Sequence, residues 1–100
     1  MNSYADHIEI IELINQFGFT IDLHDWKTFQ SLFYDSVEFD YSAIEGPAGN
    51  VKPEQIVNDA RRDLGKFQAT QHAITNHHIR HSGNSATCQA HVRAVHFLPN

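Results

Sequence analysis

The apolar residues of this chain recur every three or four positions in three segments, which is the spacing of an amphipathic helix. The first segment covers about residues 5–21, and the second covers residues 26–33 behind Asp25, a favoured N-cap residue. The third covers about residues 53–67 and has Pro53 in its first turn, where proline is well tolerated. The spacing therefore predicts three helices. Their apolar faces contain Ile10, Leu13, Ile14, Phe17 and Ile21, then Trp26, Phe29 and Phe33, then Ile56, Ala60, Leu64 and Phe67.

Apolar and polar residues alternate in three further segments, which is the pattern of strands with one buried face. The first covers residues 37–41. The other two cover about residues 70–81 and 85–97 and are joined by a turn at 83–84. The Gly- and Pro-containing stretch 45–50 is predicted to be a surface connection. Together these elements indicate an α+β fold in which a curved antiparallel sheet packs against three helices.

The pairing of the two long strands decides which of their side chains share a face. A two-residue turn with regular pairing would put even positions of one strand beside odd positions of the other. One extra residue in the turn, or a bulge near residues 77–78, would reverse this and bring His72 and Asn76 onto the face of His96. Since Ile79 follows Asn76 by three positions, we favour the bulged register. It places His72 and His96 together on the concave, apolar side of the sheet.

Four polar residues are predicted to converge in one cavity between the helices and the sheet, namely Asp22, Tyr41, His72 and His96. An aspartate that accepts an imidazole N–H fixes the histidine tautomer, and the other ring nitrogen can then move a proton beside a carbonyl group. A tyrosine hydroxyl can polarise the carbonyl oxygen. We take these four as candidate catalytic residues. The candidate substrate-binding residues are Trp26, Phe39, Ile74 and Asn76.

Each candidate catalytic residue also has an ordinary structural explanation. Asp22 could be a solvated carboxylate at a helix end, and Tyr41 could fill the core as an amphipathic ring. His72 and His96 could each be a core histidine whose hydrogen bonds are satisfied. Their shared face favours the functional interpretation of the pair.

Histidine is unusually frequent, with eight in 100 residues. His77, His81 and His91 could meet across the hairpin and bind zinc, but a zinc site also needs three or four ligands and hydrogen bonds that orient them. We expect an outward, solvated cluster instead, and predict neither a metal site nor a cofactor. The single cysteine, Cys88, excludes an internal disulfide and a multi-cysteine metal site.

The charge of the chain narrows the range of partners. It has seven Lys and Arg against twelve Asp and Glu, a net charge of -5, which argues against a nucleic-acid binder. No apolar run approaches the roughly 20 residues that span a bilayer. The first residues are polar and do not resemble a signal peptide, so we expect a cytoplasmic protein with no membrane partner.

Five sequence strings in this order resemble the SnoaL-like branch of the NTF2-like superfamily. The strings are IDLHDW at 21–26, LFYD at 32–35, VEFDY at 37–41, ATQHAITNH at 69–77 and AVH at 94–96. Within that superfamily they look most like scytalone dehydratase and its bacterial relatives. The resemblance implies a cone-shaped α+β fold and a pocket built from a helix-end aspartate, two strand histidines and two tyrosines.

The resemblance assigns the family's aspartate to Asp22, its histidines to His72 and His96, and one tyrosine to Tyr41. The second tyrosine is replaced by Ile21, so one of the family's two water-positioning hydroxyls is missing. The implied activity is that of a metal-independent dehydratase (a lyase) or isomerase acting on a small cyclic or polyketide-like carbonyl compound. The alternative is a non-catalytic ligand-binding or assembly module, such as the structural β-subunits of ring-hydroxylating dioxygenases.

The same resemblance leads us to expect a single domain at 1–100 without the further strands that such domains have after Phe97. Those strands would close the sheet and line the far side of the pocket. We therefore expect the last strand to associate with another copy of the chain, giving a dimer or trimer whose other partner is a small-molecule substrate.

Overall fold

The computed structural model describes residues 3–44 and 48–98, and along these the chain forms three α-helices and four strands. The expected α+β class is confirmed, and both described strand pairs are antiparallel. The helices are α1 (Tyr4–Asp22), α2 (Trp26–Ser31) and α3 (Pro53–Leu64). The strands are β1 (Val37–Asp40), β2 (Ala48–Val51), β3 (Ala69–Ser82) and β4 (Ser85–Phe97), and one short 3₁₀ turn covers Ser42–Ile44.

Local hydrogen bonds set the junction between the first two helices. Asp25 caps α2 as predicted, because its Oδ1 accepts a hydrogen bond from the backbone N–H of Thr28 at 3.2 Å. His24 adopts a left-handed φ of 55°, which turns the chain between the helices. Helices α2 and α3 end at Ser31 and Leu64, both slightly earlier than predicted. None of the described helices is long and apolar enough to cross a membrane.

The core lies where the three helices meet the β1–β2 hairpin. Its buried apolar side chains are Ile21, Phe29, Ile56 and Val57. The rings of Phe17, Trp26 and Phe33 surround Phe29 at centroid distances of 5.4, 5.9 and 5.3 Å, within the range of favourable aromatic pairs. Because Ile21 belongs to this core, the C-terminal end of α1 is held in place.

Part of the predicted loop at 45–50 is a strand. Ala48–Val51 forms β2 and pairs with β1, with Phe39 opposite Gly49. The loop prediction is wrong for residues 48–50, because this short polar segment has no alternation and contains Gly49 at a φ of 124°. Residues 45–47 lie outside the described part of the chain. The described strands therefore form two separate hairpins, β1–β2 and β3–β4.

The long hairpin has the predicted register near the candidate site. His72 lies opposite Ala94, and Thr70 lies opposite His96. Since directly opposed residues of an antiparallel pair project to the same side, His72 and His96 share a face. The turn at the end of the hairpin contains Gly83 at a φ of 59°, a conformation that glycine adopts without strain.

The predicted bulge is present, and it lies between Thr75 and His78. Its residue Asn76 has a φ of 60°, which asparagine tolerates better than most residues, and its side chain is exposed. His77 is half-buried and continues the face that packs on α1. The expectation that Asn76 points inward is therefore wrong, because at the bulge Asn76 is exposed and His77 takes its place on the inward face.

The last residues of the described chain expose four apolar residues, here called the apolar strip: Val92 on one face of β4, Val95 and Phe97 on the other, and Leu98 after the strand. These side chains are 60%, 38%, 49% and 71% exposed. Among the described strands β4 pairs only with β3, so its other edge carries unpaired backbone N–H and C=O groups. An edge of this kind readily pairs with another chain.

We expect the 100-residue chain to self-associate through this strip and edge. Light scattering after size exclusion should give a mass that is a multiple of 11.4 kDa. Val92→Lys should weaken the association by about tenfold or more, because it buries a charge in an apolar contact. Thr87→Lys, at an exposed position near the other end of β4, is the matched control and should have little effect. A uniform wild-type monomer would contradict this prediction.

Candidate functional site

Asp22 is the last residue of α1, and its carboxylate reaches β3. Oδ1 accepts hydrogen bonds from Nδ1 of His72 at 2.7 Å and from the Thr70 hydroxyl at 2.8 Å. Oδ2 accepts a hydrogen bond from the backbone N–H of His72 at 2.7 Å. The side chains of Asp22 and His72 are only 17% and 9% exposed. The expected contact between these two residues, 50 positions apart, is therefore present.

The hydrogen bonds around Asp22 change its pKa. Burial is the largest influence and by itself would raise the pKa, but the backbone N–H and ring of His72 and the hydroxyl of Thr70 together outweigh it. The pKa of Asp22 is consequently lowered from the ordinary value of 3.8. Asp22 is ionised at neutral pH, and because a carboxylate only accepts hydrogen bonds, it holds a proton on Nδ1 of His72.

We expect Asp22→Asn to lower the free energy of unfolding at pH 7 by about 2 kcal/mol, because the amide loses charged hydrogen bonds and turns its N–H₂ toward existing donors. A carboxylate with a depressed folded-state pKa stabilises the fold above its unfolded pKa, and this contribution is lost as the pH falls through the folded-state pKa. Urea unfolding should therefore show a difference between wild type and variant that narrows below pH 3.8.

Asp35→Asn, at an exposed aspartate, is the control for this measurement and should change stability by less than about 0.5 kcal/mol. An Asp22→Asn variant as stable as the wild type at pH 7 would show that the carboxylate contributes nothing to the fold.

Gly18 allows α1 to lie close to β3 at this point. It is buried on α1, four residues before Asp22, and a Cβ at this position would lie 2.9 Å from Cβ of His72 and 3.3 Å from Cδ1 of Ile74. Carbon atoms pack favourably only at about 3.5–4.0 Å, so a larger residue would force the helix away from the strand. Gly18 therefore helps to set the distance between Asp22 and His72.

A cavity of about 220 Å³ lies between α1 and β3. It is lined by Asn15, Phe19, His72, Ala73, Ile74 and Thr75. The ring of His72 thus contacts Asp22 through Nδ1 and also borders this cavity. Its second nitrogen, Nε2, makes no hydrogen bond within the described residues. An imidazole with one nitrogen anchored and the other free is arranged as a general acid or base.

A larger open cleft of about 550 Å³ lies between α2 and the start of α3. Its charged lining has both signs, with Lys27 and Lys52 set against Asp35 and Glu54. None of the predicted site residues lines it. The smaller cavity at His72 is therefore the better candidate site, because it combines apolar walls with an anchored acid–base group.

His96 lies beside His72 on the same face of the hairpin. The two ring centroids are 6.4 Å apart with an interplanar angle of 83°, and the ring of Phe67 lies 4.7 Å from that of His96. His96 is exposed. The structure thus brings together three of the four predicted catalytic residues, Asp22, His72 and His96.

Tyr41 lies apart from this group in every described contact. It follows β1, stacks on Phe39 at a centroid distance of 4.5 Å and is 42% exposed. Within residues 3–44 and 48–98, no hydrogen bond or ring contact joins Tyr41 to His72 or His96. The predicted convergence of all four residues is therefore not observed.

The four predicted substrate-binding residues occupy three different environments. Ile74 lines the 220 Å³ cavity. Phe39 and Trp26 are half-buried and pack against the core, where His24 also stacks on Trp26 at 5.6 Å. Asn76 is exposed at the bulge and does not line the cavity.

The three candidate zinc ligands, His77, His81 and His91, have separate surroundings. His77 Nε2 contacts Asn15 Oδ1 at 3.0 Å, and the His81 ring lies 6.3 Å from that of His7. Both are half-buried, whereas His91 is exposed. The expectation of an outward, solvated cluster is wrong for His77 and His81, because the bulge directs them toward α1. The described residues contain no group of three or more His, Cys, Asp or Glu arranged to hold a metal ion.

Three residues of this site were not predicted from the sequence, namely Thr70, Asn15 and Gly18. Two of them could have been found from their spacing in the sequence. Thr70 precedes His72 by two positions, so both project from the same face of a strand, and Asn15 precedes Asp22 by two helical turns. Gly18 gave no signal, because its role depends on the approach of β3.

The sequence of the chain matches one known domain family along almost its whole length. The SnoaL-like domain profile matches residues 2–100. The chain belongs to the SnoaL-like domain family. This confirms the expected SnoaL-like, NTF2-like resemblance, although a particular closeness to scytalone dehydratase is not shown.

A solved structure supports the same assignment of this SnoaL-like domain. It is the crystal structure of the Kfla4162 protein from Kribbella flavida, which is 34% identical in sequence and superposes with a TM-score of 0.86. The match covers 95% of the present chain and 66% of the Kribbella protein, so the SnoaL-like domain spans just under two thirds of that relative. No curated protein matches the chain significantly.

Proposed function

We propose that this SnoaL-like domain is a small-molecule enzyme of the dehydratase or isomerase type. The observation that supports this most directly is the hydrogen bond of 2.7 Å between Asp22 Oδ1 and His72 Nδ1 beside a cavity. The pair is largely buried, and the other ring nitrogen of His72 has no partner in the described chain. These features are those of an anchored general base rather than of a surface ion pair.

The proposed reaction begins with proton transfer to His72. Nε2 accepts the proton from the carbon beside a carbonyl group, and the C–H electron pair forms an enolate. In an isomerase the imidazolium returns that proton to another carbon. In a dehydratase it protonates a β-hydroxyl group, which leaves as water while the enolate electrons form the C=C bond. Asp22 stabilises the transient imidazolium throughout, and the step requires no metal or cofactor.

The proposed substrate is a small cyclic or polyketide-like carbonyl compound. The described cavity of about 220 Å³ has room for a single small ring, and its apolar residues Phe19 and Ile74 suit an unsaturated or aromatic skeleton. A scytalone dehydratase-like reaction is the finer form of this proposal. The replacement of the family's second tyrosine by Ile21 bears against it, since that hydroxyl would help to position water.

Solvent deuterium exchange tests the proposal without knowledge of the natural product. A panel of cyclic ketones and β-hydroxy ketones is incubated with the protein in D₂O, and proton NMR follows loss of the signal beside the carbonyl. We expect at least one compound to exchange faster with wild type than with His72→Asn. Equal rates for the two proteins across the panel would overturn the proposal.

The alternative is a non-catalytic ligand-binding or assembly module. It is favoured by the exposed apolar strip Val92, Val95, Phe97 and Leu98, which suits contact with another chain. Oligomerisation as a dimer or trimer, the single-domain organisation and a cytoplasmic location also stay predictions. A ligand that binds the cavity tightly without any exchange or dehydration would support the binding module over the enzyme.

A further inference from the structure

Asn15 and His77 form a polar contact that nothing in the proposed reaction uses. Asn15 Oδ1 lies 3.0 Å from Nε2 of His77, and His77 is the inward-facing residue of the bulge. A carbonyl oxygen only accepts hydrogen bonds, so Nε2 of His77 is the donor. The contact therefore holds the amide of Asn15 with its oxygen turned toward β3.

This orientation leaves the amide N–H₂ of Asn15 without a protein partner among the described residues. Asn15 is half-buried and lines the 220 Å³ cavity together with His72 and Ile74. Of the two other polar lining residues, His72 donates through Nδ1 to Asp22, and no hydrogen bond among the described residues holds the Thr75 hydroxyl in one orientation. Asn15 is consequently the side-chain donor of this cavity whose orientation is held by a second residue.

We propose that Asn15 is a substrate-binding residue that donates a hydrogen bond to the carbonyl oxygen of the substrate while His72 moves the proton. His77 is its positioning residue. This inference rests on the proposed function, and it narrows the substrate to carbonyl compounds whose oxygen and acidic carbon lie between Asn15 and His72. A held donor stabilises the negative charge that develops on that oxygen. Asn15 thereby takes the role that the sequence had suggested for Tyr41.

The test uses 4-nitrophenolate as the probe, because it is a stable planar anion whose charged oxygen imitates an enolate. Its visible absorption follows binding directly. We expect Asn15→Leu to weaken its binding by about 10- to 100-fold, the effect of losing one hydrogen bond to a charged oxygen. Asn58→Leu, the same change at an exposed asparagine of α3, is the matched control and should bind like wild type.

A second pair of variants keeps the test decisive if Asn15→Leu does not melt cooperatively. His77→Gln retains a side-chain N–H that can donate to Asn15 Oδ1, whereas His77→Leu does not. We expect His77→Leu to weaken phenolate binding and His77→Gln to restore most of it. Equal affinity for wild type and both His77 variants would overturn the positioning role. If His77 were merely structural, the Leu and Gln variants would not differ in phenolate binding.

The two proposals fail in different ways. His72→Asn should still bind 4-nitrophenolate while losing deuterium exchange. Suppose that a folded Asn15→Leu variant shows the wild-type rate of deuterium exchange and the wild-type affinity for 4-nitrophenolate. That result would overturn the inference about Asn15 but would not contradict the proposed function. Phenolate binding that depends on Asn15, without exchange of any ketone, would support the inference about the donor and overturn the enzyme. A wild-type protein that does not bind the probe would overturn the inference.

Discussion

His72→Asn is expected to lower the rate of proton exchange by about 10²- to 10⁴-fold, the usual contribution of a positioned general acid or base. The asparagine side-chain N–H₂ takes the place of the Nδ1–H and can still donate to Asp22, where the native distance is 2.7 Å. The change therefore removes the free ring nitrogen beside the cavity and keeps the anchor. Fold and stability should be nearly preserved.

Rates from the deuterium-exchange assay and melting curves should be measured together for this variant. His78→Asn is the matched control, because His78 is exposed on the same strand and projects to the other face. It should retain the wild-type rate. A folded His72→Asn protein with the wild-type rate would exclude His72 as the acid–base group.

Gly18→Val is expected to destabilise the protein by about 3 kcal/mol and to reduce any exchange activity by about 100-fold. Its Cβ would lie 2.9 Å from Cβ of His72, whose position is held by the β3–β4 ladder. The strain is relieved only if α1 moves away from β3, which lengthens the contact between Asp22 and His72. In a chain of this size the melting temperature should fall by about 12–24 °C.

Gln16→Val is the control for the intrinsic effect of valine in a helix, since Gln16 is exposed on α1. It should cost no more than about 0.7 kcal/mol. Gly18→Ala should lie between the two, because its clash is partly offset by a gain in helix propensity of about 1 kcal/mol. A Gly18→Val protein with wild-type stability would show that α1 and β3 are not held together at this point.

The sequence alone was sufficient wherever the deciding interactions are local. The apolar spacing located the three helices, the Asp25 cap involves a residue three positions away, and the turn containing Gly83 joins neighbouring strands. The common face of His72 and His96 also followed, because a strand alternates strictly and the position of Ile79 indicated a bulge. These features depend on the periodicity of the chain and on its nearest neighbours.

Two features could not be predicted from the sequence, namely the short strand β2 and the orientation of the side chains at the bulge. Ala48–Val51 has no strand-like pattern and becomes a strand only because β1 pairs with it. A bulge near 77–78 could be predicted, but which of its residues faces α1 could not. In the structure Asn76 is exposed and His77 faces α1. His77, and not Asn76 as expected, therefore lies on the face of β3 that packs against α1.

The sequence by itself determined the α+β class, the family and two members of the candidate pair, Asp22 and His72. The tertiary structure decided the rest of the site, because those contacts join residues far apart along the chain. Thr70 meets Asp22 across 48 positions and His77 meets Asn15 across 62. Tyr41 was expected to join them and lies elsewhere. Such contacts depend on how closely a helix packs against a strand, which Gly18 controls and no periodic pattern records.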